Sequence, residues 1–446
     1  MAENTGVSAA GIARRDLLRA TGLGATALGG GGLLAACSSG IKGAGGSSSS
    51  GTGDITIGFV HPLTGSLAGF GSGDNFVLDQ VRASAAYAKG FKVGSKTYTV
   101  NIISQDTQSD PNRASQVTRQ LILQNKADMI VTTSTPETVN PVASVCEAEG
   151  VPCACTNIPW EPWYINLGGN PATPTKAVKY VTMFFFGVEH LANCFIPMWN
   201  RIPNNKVAAA MFPNDSDGNA FRAVWPNFTK PAGYKLVDPP AYTDGTTNYT
   251  SMISTFKSNN CELYTNVPLP PDFNTMWKQS AEQGFKPKLA TVGKVLLFPA
   301  DTVALGPLVV NIATDSWWGP WLPYKSSLTG ISAKDLADLF ETTTGNQWVQ
   351  SIGGSYSLFE VAREAFLAAS DPHDKAAVAD ALHKVSYTGV SGLIDFSKGP
   401  APGVAITPPI GVQWKKGTKF PYEMQVVDNS LNKDVPLTAD LQPTNA

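Results

Sequence analysis

The chain has 446 residues, of which 15% are charged, and its net charge is −2. This charged fraction is below the roughly one quarter that is usual in globular proteins, and the small net charge excludes bulk electrostatic binding of nucleic acid. The sequence contains no basic stripe, no zinc-finger spacing and no apolar run long enough to cross a bilayer.

Residues 1–36 have the layout of an export signal peptide. Arg14 and Arg15 precede a short, glycine-rich apolar stretch that ends in small residues before Cys37. The four residues Leu34–Cys37 resemble the bacterial lipobox, in which cleavage precedes the cysteine and its sulfur is acylated. We therefore expect a lipoprotein anchored through Cys37 at the outer face of the cytoplasmic membrane or on the periplasmic side. The alternative is an accidental cysteine in a leader.

The export route is left open by the same segment. The stretch "RRDLL" resembles the twin-arginine export motif, although Leu17 stands where Phe is commoner. Both the Sec and the twin-arginine route therefore remain possible. Residues 37–53 follow as a Gly/Ser-rich stretch, which we interpret as a flexible tether. The rest of the chain is long for a single hydrophobic core and predicts two domains.

The first folded part alternates predicted strands and helices. A β-branched run forms the first strand, and a Gly-rich loop follows it before the first helix. The predicted strands are residues 55–60, 98–110, 127–135 and 151–157, and the predicted helices are residues 75–88, 111–125 and 136–150. This alternation predicts an α/β fold with a doubly wound parallel sheet.

A second set of similar units follows. Its predicted strands are residues 205–215, 234–242, 261–270 and 287–295, and its predicted helices are residues 217–233, 248–260 and 271–285. Two further helices are predicted for residues 355–370 and 374–385. Because the pattern repeats, we expect two similar doubly wound lobes.

The order of these segments resembles the type I periplasmic binding proteins, in the branch that serves branched-chain amino acid and amide importers. The resemblance covers about residues 54–425 and is carried by five stretches: "IGFVHPLTGSLAGFG", "PETVNPVASVCEAEGVP", "FPNDSDGN", "VPLPPDFNTMWKQSAEQGFKPK" and "SGLIDF". It implies two lobes joined by three crossovers, with a small ligand held in the cleft between them.

The resemblance also implies domain boundaries. Lobe one is expected to comprise residues 54–184 plus 322–395, and lobe two residues 185–321 plus 396–446. The three crossovers are then expected near residues 184–187, 317–321 and 393–397. In open α/β sheets, ligands bind beyond the carboxyl ends of the strands, so the loops after the strands hold the candidate site.

Four candidate ligand-binding residues fall in lobe one before residue 140. Phe70 matches the aromatic residue that the family uses as a ligand platform, with ordinary loop packing as the alternative. Ser134, Thr135 and Glu137 lie where a strand opens into a helix, and free N–H groups and hydroxyls there suit a carboxylate. Glu137 could instead favour the start of the helix through its charge.

The next candidates are polar and aromatic. Asn157 and Trp160 lie in "TNIPWEPWY", which matches a family ligand loop, and Trp160 is the expected wall of the site. Asp217 matches a position that contacts ligand from lobe two. Trp317 belongs to a tryptophan cluster at the second crossover and is expected to contact ligand. The alternatives are a lobe-edge cluster for Trp160, turn chemistry for Asp217 and hinge packing for Trp317.

Lys294 departs from the amino-acid-binding members, which place a carboxylate about here for the ammonium of the ligand. A lysine in the cleft would repel an ammonium and attract an anion, which favours a carboxylate ligand without a nearby amine. The alternative is that Lys294 points into solvent, as most lysines do. Together the candidates predict a ligand with an apolar or aromatic body and an anionic head.

Five cysteines follow Cys37. Cys146 and Cys153 flank a predicted helix end and strand start, so a local disulfide between them is plausible in an exported chain. The alternative is that all five are small buried hydrophobic residues.

The predicted function is that of an extracytoplasmic solute-binding lipoprotein of an ABC importer, partnering permease and ATPase subunits as a monomer, with no cofactor or metal. The first alternative is a sensor domain that binds a ligand and partners a signalling receptor, which has the same fold. An exported hydrolase is the second alternative. It is disfavoured because no Gly-x-Ser-x-Gly or His-Glu-x-x-His motif is present, and His61 is the one histidine in a candidate cleft loop.

Overall fold

The structure is a computed structural model that describes residues 54–444. The predicted signal peptide, Cys37 and the predicted tether lie outside the described residues. The strands, in chain order, are β1 (Asp54–His61), β2 (Phe91–Val93), β3 (Lys96–Asp106), β4 (Met129–Thr133), β5 (Cys153–Thr156), β6 (Val181–Phe185), β7 (Val207–Met211), β8 (Lys235–Val237), β9 (Leu263–Asn266), β10 (Leu289–Val292), β11 (Ala313–Ser316), β12 (Ser386–Gly389), β13 (Gly392–Asp395), β14 (Val404–Ile406), β15 (Ile410–Lys416) and β16 (Tyr422–Asp428).

The helices, in chain order, are α1 (Asp74–Ala83), α2 (Ala85–Ala88), α3 (Pro111–Leu123), α4 (Pro136–Glu149), α5 (Trp160–Asn166), α6 (Val188–Arg201), α7 (Ser216–Val224), α8 (Pro226–Thr229), α9 (Thr250–Ser258), α10 (Pro270–Glu282), α11 (Pro299–Leu305), α12 (Ala333–Thr344), α13 (Ser351–Ala368) and α14 (Lys375–Leu382). Two 3₁₀ turns cover Ala68–Gly71 and Gly306–Val309. Between residues 54 and 444, none of the helices is both long and apolar enough to span a bilayer.

The strands form two large sheets and one small hairpin. The first sheet has the order β14-β6-β5-β4-β1-β3-β2, and the second has the order β16-β15-β11-β10-β9-β7-β8. In both sheets the central strands are parallel, and antiparallel strands lie at an edge. β12 and β13 form the hairpin. The predicted fold class, two doubly wound parallel-sheet lobes, is confirmed.

Local sequence signals explain several element ends. α3 begins after Asp110, whose carboxylate accepts a hydrogen bond from the Arg113 N–H at 2.6 Å, as an N-cap does. α4 ends at Gly150, which has the left-handed φ of 68° that suits glycine. The helix predicted for residues 75–88 is broken at Ser84, because its extended backbone and its hydroxyl bond to the Val81 carbonyl end α1.

α13 lies in the centre of lobe one. It is buried on nearly all sides, and it packs on α1, β2, β4 and β5. Burial on nearly all sides is typical of a core helix. Gly353 and Gly354 let two other segments approach closely, because a β-carbon there would collide with Trp318 and Asn157 respectively.

The chain passes between the sheets three times. The first passage, residues 186–187, links β6 to α6, and the second begins after β11 at Trp317. The third was predicted at residues 393–397, and this prediction is wrong. β14 pairs with β6 of the first sheet, so the chain crosses between residues 406 and 410. A three-residue strand flanked by prolines gives little sequence signal, which explains the error.

The five described cysteines are free and buried. The predicted Cys146–Cys153 disulfide is therefore not formed. Cys153 Sγ instead lies 3.8 Å from Cys155 Sγ, across one β5 residue. Burial raises the pKa of the Cys153 thiol well above its ordinary value, and contacts with Cys146 and Cys155 raise it further. These cysteines pack as small hydrophobic residues, the alternative that the sequence left open.

Candidate functional site

A cavity lies where the carboxyl ends of the two parallel sheets face each other. Its empty volume is about 420 Å³. The lining residues are Phe70, Thr135, Pro136, Asn157, Pro159, Phe185, Phe186, Leu191, Asp217, Phe221, Val267, Lys294, Leu297, Asp315 and Trp317. Mostly apolar walls with a few convergent polar groups are typical of small-molecule sites.

Aromatic side chains form much of the wall. Phe70 lies on the 3₁₀ turn of lobe one and contacts Phe298 of lobe two edge-on, with ring centroids 5.0 Å apart. Phe185 stacks on Phe186 at 4.1 Å and meets Trp317 edge-on at 5.1 Å. Such pairs hold rigid, large apolar surfaces with few rotatable bonds. The cavity is therefore suited to an apolar or aromatic ligand body.

The turn from β4 into α4 brings small polar groups to the cavity. Thr135 lines the cavity, and Ser134 is buried beside it without lining it. The Ser134 hydroxyl has no hydrogen-bond partner. Pro136 occupies the first turn of α4, where its missing N–H removes no helix bond.

Asn157 lines the cavity immediately after β5 in a left-handed conformation, with φ of 64°. Its Nδ2 donates to Thr133 Oγ1 at 2.7 Å, while its Oδ1 is buried without a hydrogen-bond partner. Non-glycine residues held at positive φ cluster at ligand sites, where the surrounding structure offsets the strain. This geometry directs an amide group of a rigid strand end toward the cavity.

Trp160 does not line the cavity. It begins α5, and its indole N–H donates to Glu189 Oε1 of lobe two at 2.9 Å. The loop predicted to hold a tryptophan wall is a short helix whose aromatic side chains are buried in packing. Phe185 and Phe186, which the sequence analysis assigned to the crossover alone, line the cavity instead.

Lys294 lines the cavity, and its side chain is 6% exposed. Its Nζ lies 2.7 Å from Asp217 Oδ2, 3.1 Å from Glu137 Oε1 and 3.2 Å from Asp215 Oδ2. Glu137 belongs to α4 of lobe one, whereas Asp215 and Asp217 lie at the start of α7 in lobe two. Lys294 therefore ties the two lobes together. Glu137 contributes to this ion cluster and does not itself line the cavity.

The protonation of this cluster follows from burial and charge. Burial raises the pKa of Asp217 to about 7, and Glu137 and Asp215 add to the effect against the opposing charge of Lys294. Burial opposes the charged form of Lys294, but Asp217, Glu137 and Asp215 raise its pKa well above the ordinary value. Burial likewise opposes ionisation of Glu137, and the Lys294 ammonium nevertheless lowers its pKa. Lys294 is therefore a cation already neutralised by its own neighbours.

Asp315 is a site residue that the sequence analysis missed. It is 1% exposed, lines the cavity at the end of β11, and has no hydrogen-bond partner at Oδ1. Burial raises its pKa to about 7. Two residues later, Trp317 lines the same cavity with an unpartnered indole N–H. The available signal was an acidic residue at a strand end, directly before the tryptophan cluster.

A Ser–His–Asp series exists in lobe one, away from the cavity. His61 Nε2 lies 2.7 Å from Ser104 Oγ, and His61 Nδ1 lies 2.8 Å from Asp74 Oδ2. Asp74 also accepts a hydrogen bond from Ser355 at 2.6 Å. His61 and Asp74 are fully buried, and none of these residues lines the cavity. The series links β1, α1, β3 and α13 and acts in packing rather than in catalysis.

A family model described as periplasmic binding protein matches residues 54–419. Similar solved structures include a leucine binding protein from Thermotoga maritima, at 17% identity and a TM-score of 0.68, covering 84% of this chain and 98% of that one. No curated protein sequence matches this chain.

Two further solved structures contain ligands. A branched-chain amino acid transporter substrate binding protein from Streptococcus pneumoniae, in complex with isoleucine, is 15% identical with a TM-score of 0.66, and the match covers 84% of this chain and 99% of that one. A solute binding protein of an ABC transporter from R. palustris, in complex with benzoate, is 15% identical with a TM-score of 0.62, and the match covers 87% and 98%. At these identities the likeness establishes the fold.

Proposed function

The chain belongs to the periplasmic binding protein family, a family of solute-binding proteins rather than enzymes, and from this premise we propose its function. It is an extracytoplasmic solute-binding lipoprotein of an ABC importer. It binds a small apolar or aromatic amino acid or carboxylate in the cleft between its lobes and delivers it to a permease.

The observation that carries this proposal is the interlobe cavity. Eight of its lining residues are large and apolar: Phe70, Phe185, Phe186, Leu191, Phe221, Val267, Leu297 and Trp317. Buried polar atoms without partners, at Asn157, Asp217, Asp315 and Trp317, face the same space. An unpartnered buried polar group costs about 1–3 kcal/mol, so such a concentration supports a ligand that completes the hydrogen bonds.

The ligand class is supported by size and by related folds. Isoleucine and benzoate, which the two proteins of similar fold bind, are small molecules with an apolar or aromatic body and a carboxylate. The aromatic wall around Trp317 fits such a body. The Ser134 and Thr135 hydroxyls at the start of α4 are suited to a carboxylate, because the start of a helix favours negative charge.

Transport requires that the ligand stabilise one conformation. We propose that the lobes open and close about the three crossovers, and that the ligand contacts both lobes when the cleft is closed. A ligand shifts this equilibrium only by its differential affinity for the two states. The closed form then docks on the permease, whose ATPase subunits drive uptake.

A thermal-shift assay on the full chain, purified in detergent, tests the binding function. The ligands are branched and aromatic amino acids, each paired with its deaminated carboxylate. At a hundredfold excess over the dissociation constant, a ligand adds about 2.7 kcal/mol to the free energy of unfolding, and the Tm rises. If no member of the panel raises the Tm, the proposed ligand class is wrong.

The variants Trp317→Ala and Trp321→Ala localise the binding. Trp321 lies in the same crossover, packs edge-on against Trp348 at 5.1 Å and does not line the cavity. Both variants lose packing and unfold at lower temperature, but we expect only Trp317→Ala to lose the ligand-induced shift. An equal ligand-induced shift in both variants would place the ligand elsewhere.

The lipid anchor has an independent test. Cells fed radiolabelled palmitate should label the wild-type chain and leave the Cys37→Ser variant unlabelled. Ligand binding of that variant should be unchanged, because the anchor precedes the folded lobes. Labelling of Cys37→Ser would contradict the proposed anchor.

A further inference from the structure

The charged and polar groups of the cavity are mostly hydrogen-bond acceptors. Among the lining residues, Asp217 Oδ1 and Asp315 Oδ1 are buried carboxylate oxygens without partners, and Asn157 Oδ1 is a third such acceptor. Trp317 Nε1 is an unpartnered donor, and the Thr135 hydroxyl, also unpartnered, can donate or accept. Ionised carboxylates can accept hydrogen bonds but cannot donate them. While Asp217 and Asp315 are ionised, a ligand that completes these bonds therefore has to supply donors.

The one basic residue among the described lining residues is not available to a ligand anion. A lysine ammonium has three donors, and those of Lys294 face the carboxylates of Glu137, Asp215 and Asp217. The cluster contains three carboxyl groups and one ammonium, so its acidic groups outnumber its basic group. The three surrounding carboxylates argue against the expectation that Lys294 attracts an anionic ligand, because they already offset its charge.

Asp315 is separate from that cluster. It forms no ion pair in the described part of the chain, and burial is the main cause of its raised pKa. Asp315 and Trp317 are two positions apart at the end of β11, and both line the cavity. An unpaired buried carboxyl beside an indole ring is suited to a cationic nitrogen, since the carboxylate pairs with its charge and the ring face attracts cations.

We propose that the ligand presents a protonated nitrogen, as an amine or amidine, to Asp315, with its apolar or aromatic body against Phe185, Phe186 and Trp317. This inference rests on the proposed function and narrows its ligand class. Amino acids and amines of suitable size are accepted, and carboxylates that lack an amino group are rejected.

The proposal has a pH signature. A carboxyl with a pKa of about 7 in the free cavity has to lose its proton before it pairs with a cation, so affinity falls below pH 7, by up to about tenfold per pH unit. Other titratable groups face the same region. Asp217 and Lys294 share the cavity, and Cys194 of α6 lies close enough for the Asp315 charge to raise its pKa.

Calorimetric titration of the full chain in detergent, at pH 6 and pH 8, tests the inference. The probes form two matched series: isoleucine, 2-methylbutylamine and 3-methylvalerate, then phenylalanine, phenethylamine and 3-phenylpropionate. We expect the amino acid and the amine of at least one series to bind, about tenfold more tightly at pH 8, and the corresponding acid to fail at both pH values.

Asp315→Asn removes the charge at nearly constant shape. We expect it to weaken amine binding at least about tenfold at pH 8 and to abolish the difference between the two pH values. Asp301→Asn is the matched control, because Asp301 is a half-buried aspartate with a buried, unpartnered Oδ2 and a pKa of about 7, and it does not line the cavity. This control variant should leave both the amine affinity and its dependence on pH unchanged.

The outcomes separate this inference from the proposed function. If the acids bind and the amines do not, the inference is overturned while solute binding stands. If no probe binds, both are overturned. If amines bind equally well to wild type and to folded Asp315→Asn, the assignment to Asp315 is overturned. Should Asp315→Asn fail to fold, the amine-against-acid comparison and the pH dependence of the wild type still decide.

Discussion

The Lys294 ammonium is the central charge of the interlobe ion cluster. It joins α4 of lobe one to the start of α7 in lobe two through contacts of 2.7 to 3.2 Å. Its backbone has a left-handed φ of 65°, an uncommon conformation for a lysine. A strained residue held this way persists where surrounding interactions stabilise it. The three carboxylates supply those interactions.

We expect Lys294→Met to destabilise the protein by about 3 kcal/mol or more at pH 8, because one buried and two half-buried carboxylates are left without their cation. The loss of stability caused by Lys294→Met should be smaller below about pH 5, where the carboxylates take up protons. Urea unfolding at pH 8 and below about pH 5 measures the free energy of unfolding of the wild type and the variant. In the Lys294→Met background, Asp217→Asn should recover part of the loss, since it removes one repelling charge. Strictly additive effects of the two substitutions would contradict the cluster.

A site residue could be predicted where the sequence around it forms a recognisable loop. Phe70, Thr135, Asn157, Asp217, Lys294 and Trp317 follow strands in recognisable loops, and all six line the cavity. Trp160 follows a strand as well, but its direction is set by a hydrogen bond to Glu189 from the other lobe. A contact between distant segments leaves no local pattern, and the same holds for the three carboxylates around Lys294.

At the scale of elements, the first crossover carries an uncommon pair of carboxyl groups. Glu161 of α5 accepts a hydrogen bond from the Val188 N–H at the start of α6 at 2.8 Å, and Glu189 accepts one from Trp160. Burial raises the pKa of Glu161 well above its ordinary value, helped by Glu189. Glu189 is partly buried, which opposes its ionisation, but bonds from His190, Glu161 and Trp160 lower its pKa to about 2. The environment thus moves the pKa values of the two carboxyls apart.

We expect Glu161→Gln to raise the Tm at pH 8 and to leave it nearly unchanged at pH 4.5. The raised pKa means that the folded state binds a proton more tightly than the unfolded state, so wild-type stability falls as the pH rises above about 4.5. A glutamine mimics the protonated form and should gain about 1 kcal/mol or more at pH 8.

Glu189→Gln is the matched control and should act in the opposite direction. The lowered pKa of Glu189 contributes stability that is present above about pH 4.5 and is lost as the pH falls toward 2. The substitution should cost roughly 1–2 kcal/mol at pH 8, discounted for partial exposure. Differential scanning calorimetry compares both variants, and effects of the same sign would contradict the opposite pKa shifts of the two carboxyls.

Elements with strong local periodicity could be predicted from the sequence, and those defined by pairing could not. α3, α4, α10 and α13 have capping residues or long apolar stripes, and they lie close to their predicted bounds. β14 is three residues long, and its pairing with β6 more than two hundred residues earlier determines its sheet. α5 was interpreted as a loop because its stretch of sequence matches a ligand loop of the family.

For the whole molecule, the Lys294–Glu137 ion pair favours closure of the lobes before any ligand binds. We expect Glu137→Gln to open the ligand-free protein and to weaken ligand binding about tenfold, because a buried charge-assisted hydrogen bond contributes about 1.5–3 kcal/mol. Small-angle X-ray scattering should show a larger radius of gyration without ligand, and saturating ligand should restore the wild-type value.

Glu149→Gln is the control for this prediction. Glu149 lies on the same helix, α4, but it is exposed and outside the ion cluster. Its substitution should change neither the scattering curve nor the affinity. If Glu137→Gln gives the wild-type curve without ligand, the ion pair does not govern closure.

The five buried thiols have a practical consequence for reporting on this motion. Because the described cysteines are free yet inaccessible, and because acylation of Cys37 would block that thiol, a maleimide dye should find no reactive partner on the folded wild-type chain. A single cysteine placed at an exposed position beside the lobe junction, such as Val303→Cys on α11, would then be labelled alone. The protein can therefore be converted into a fluorescent biosensor without removal of any native cysteine.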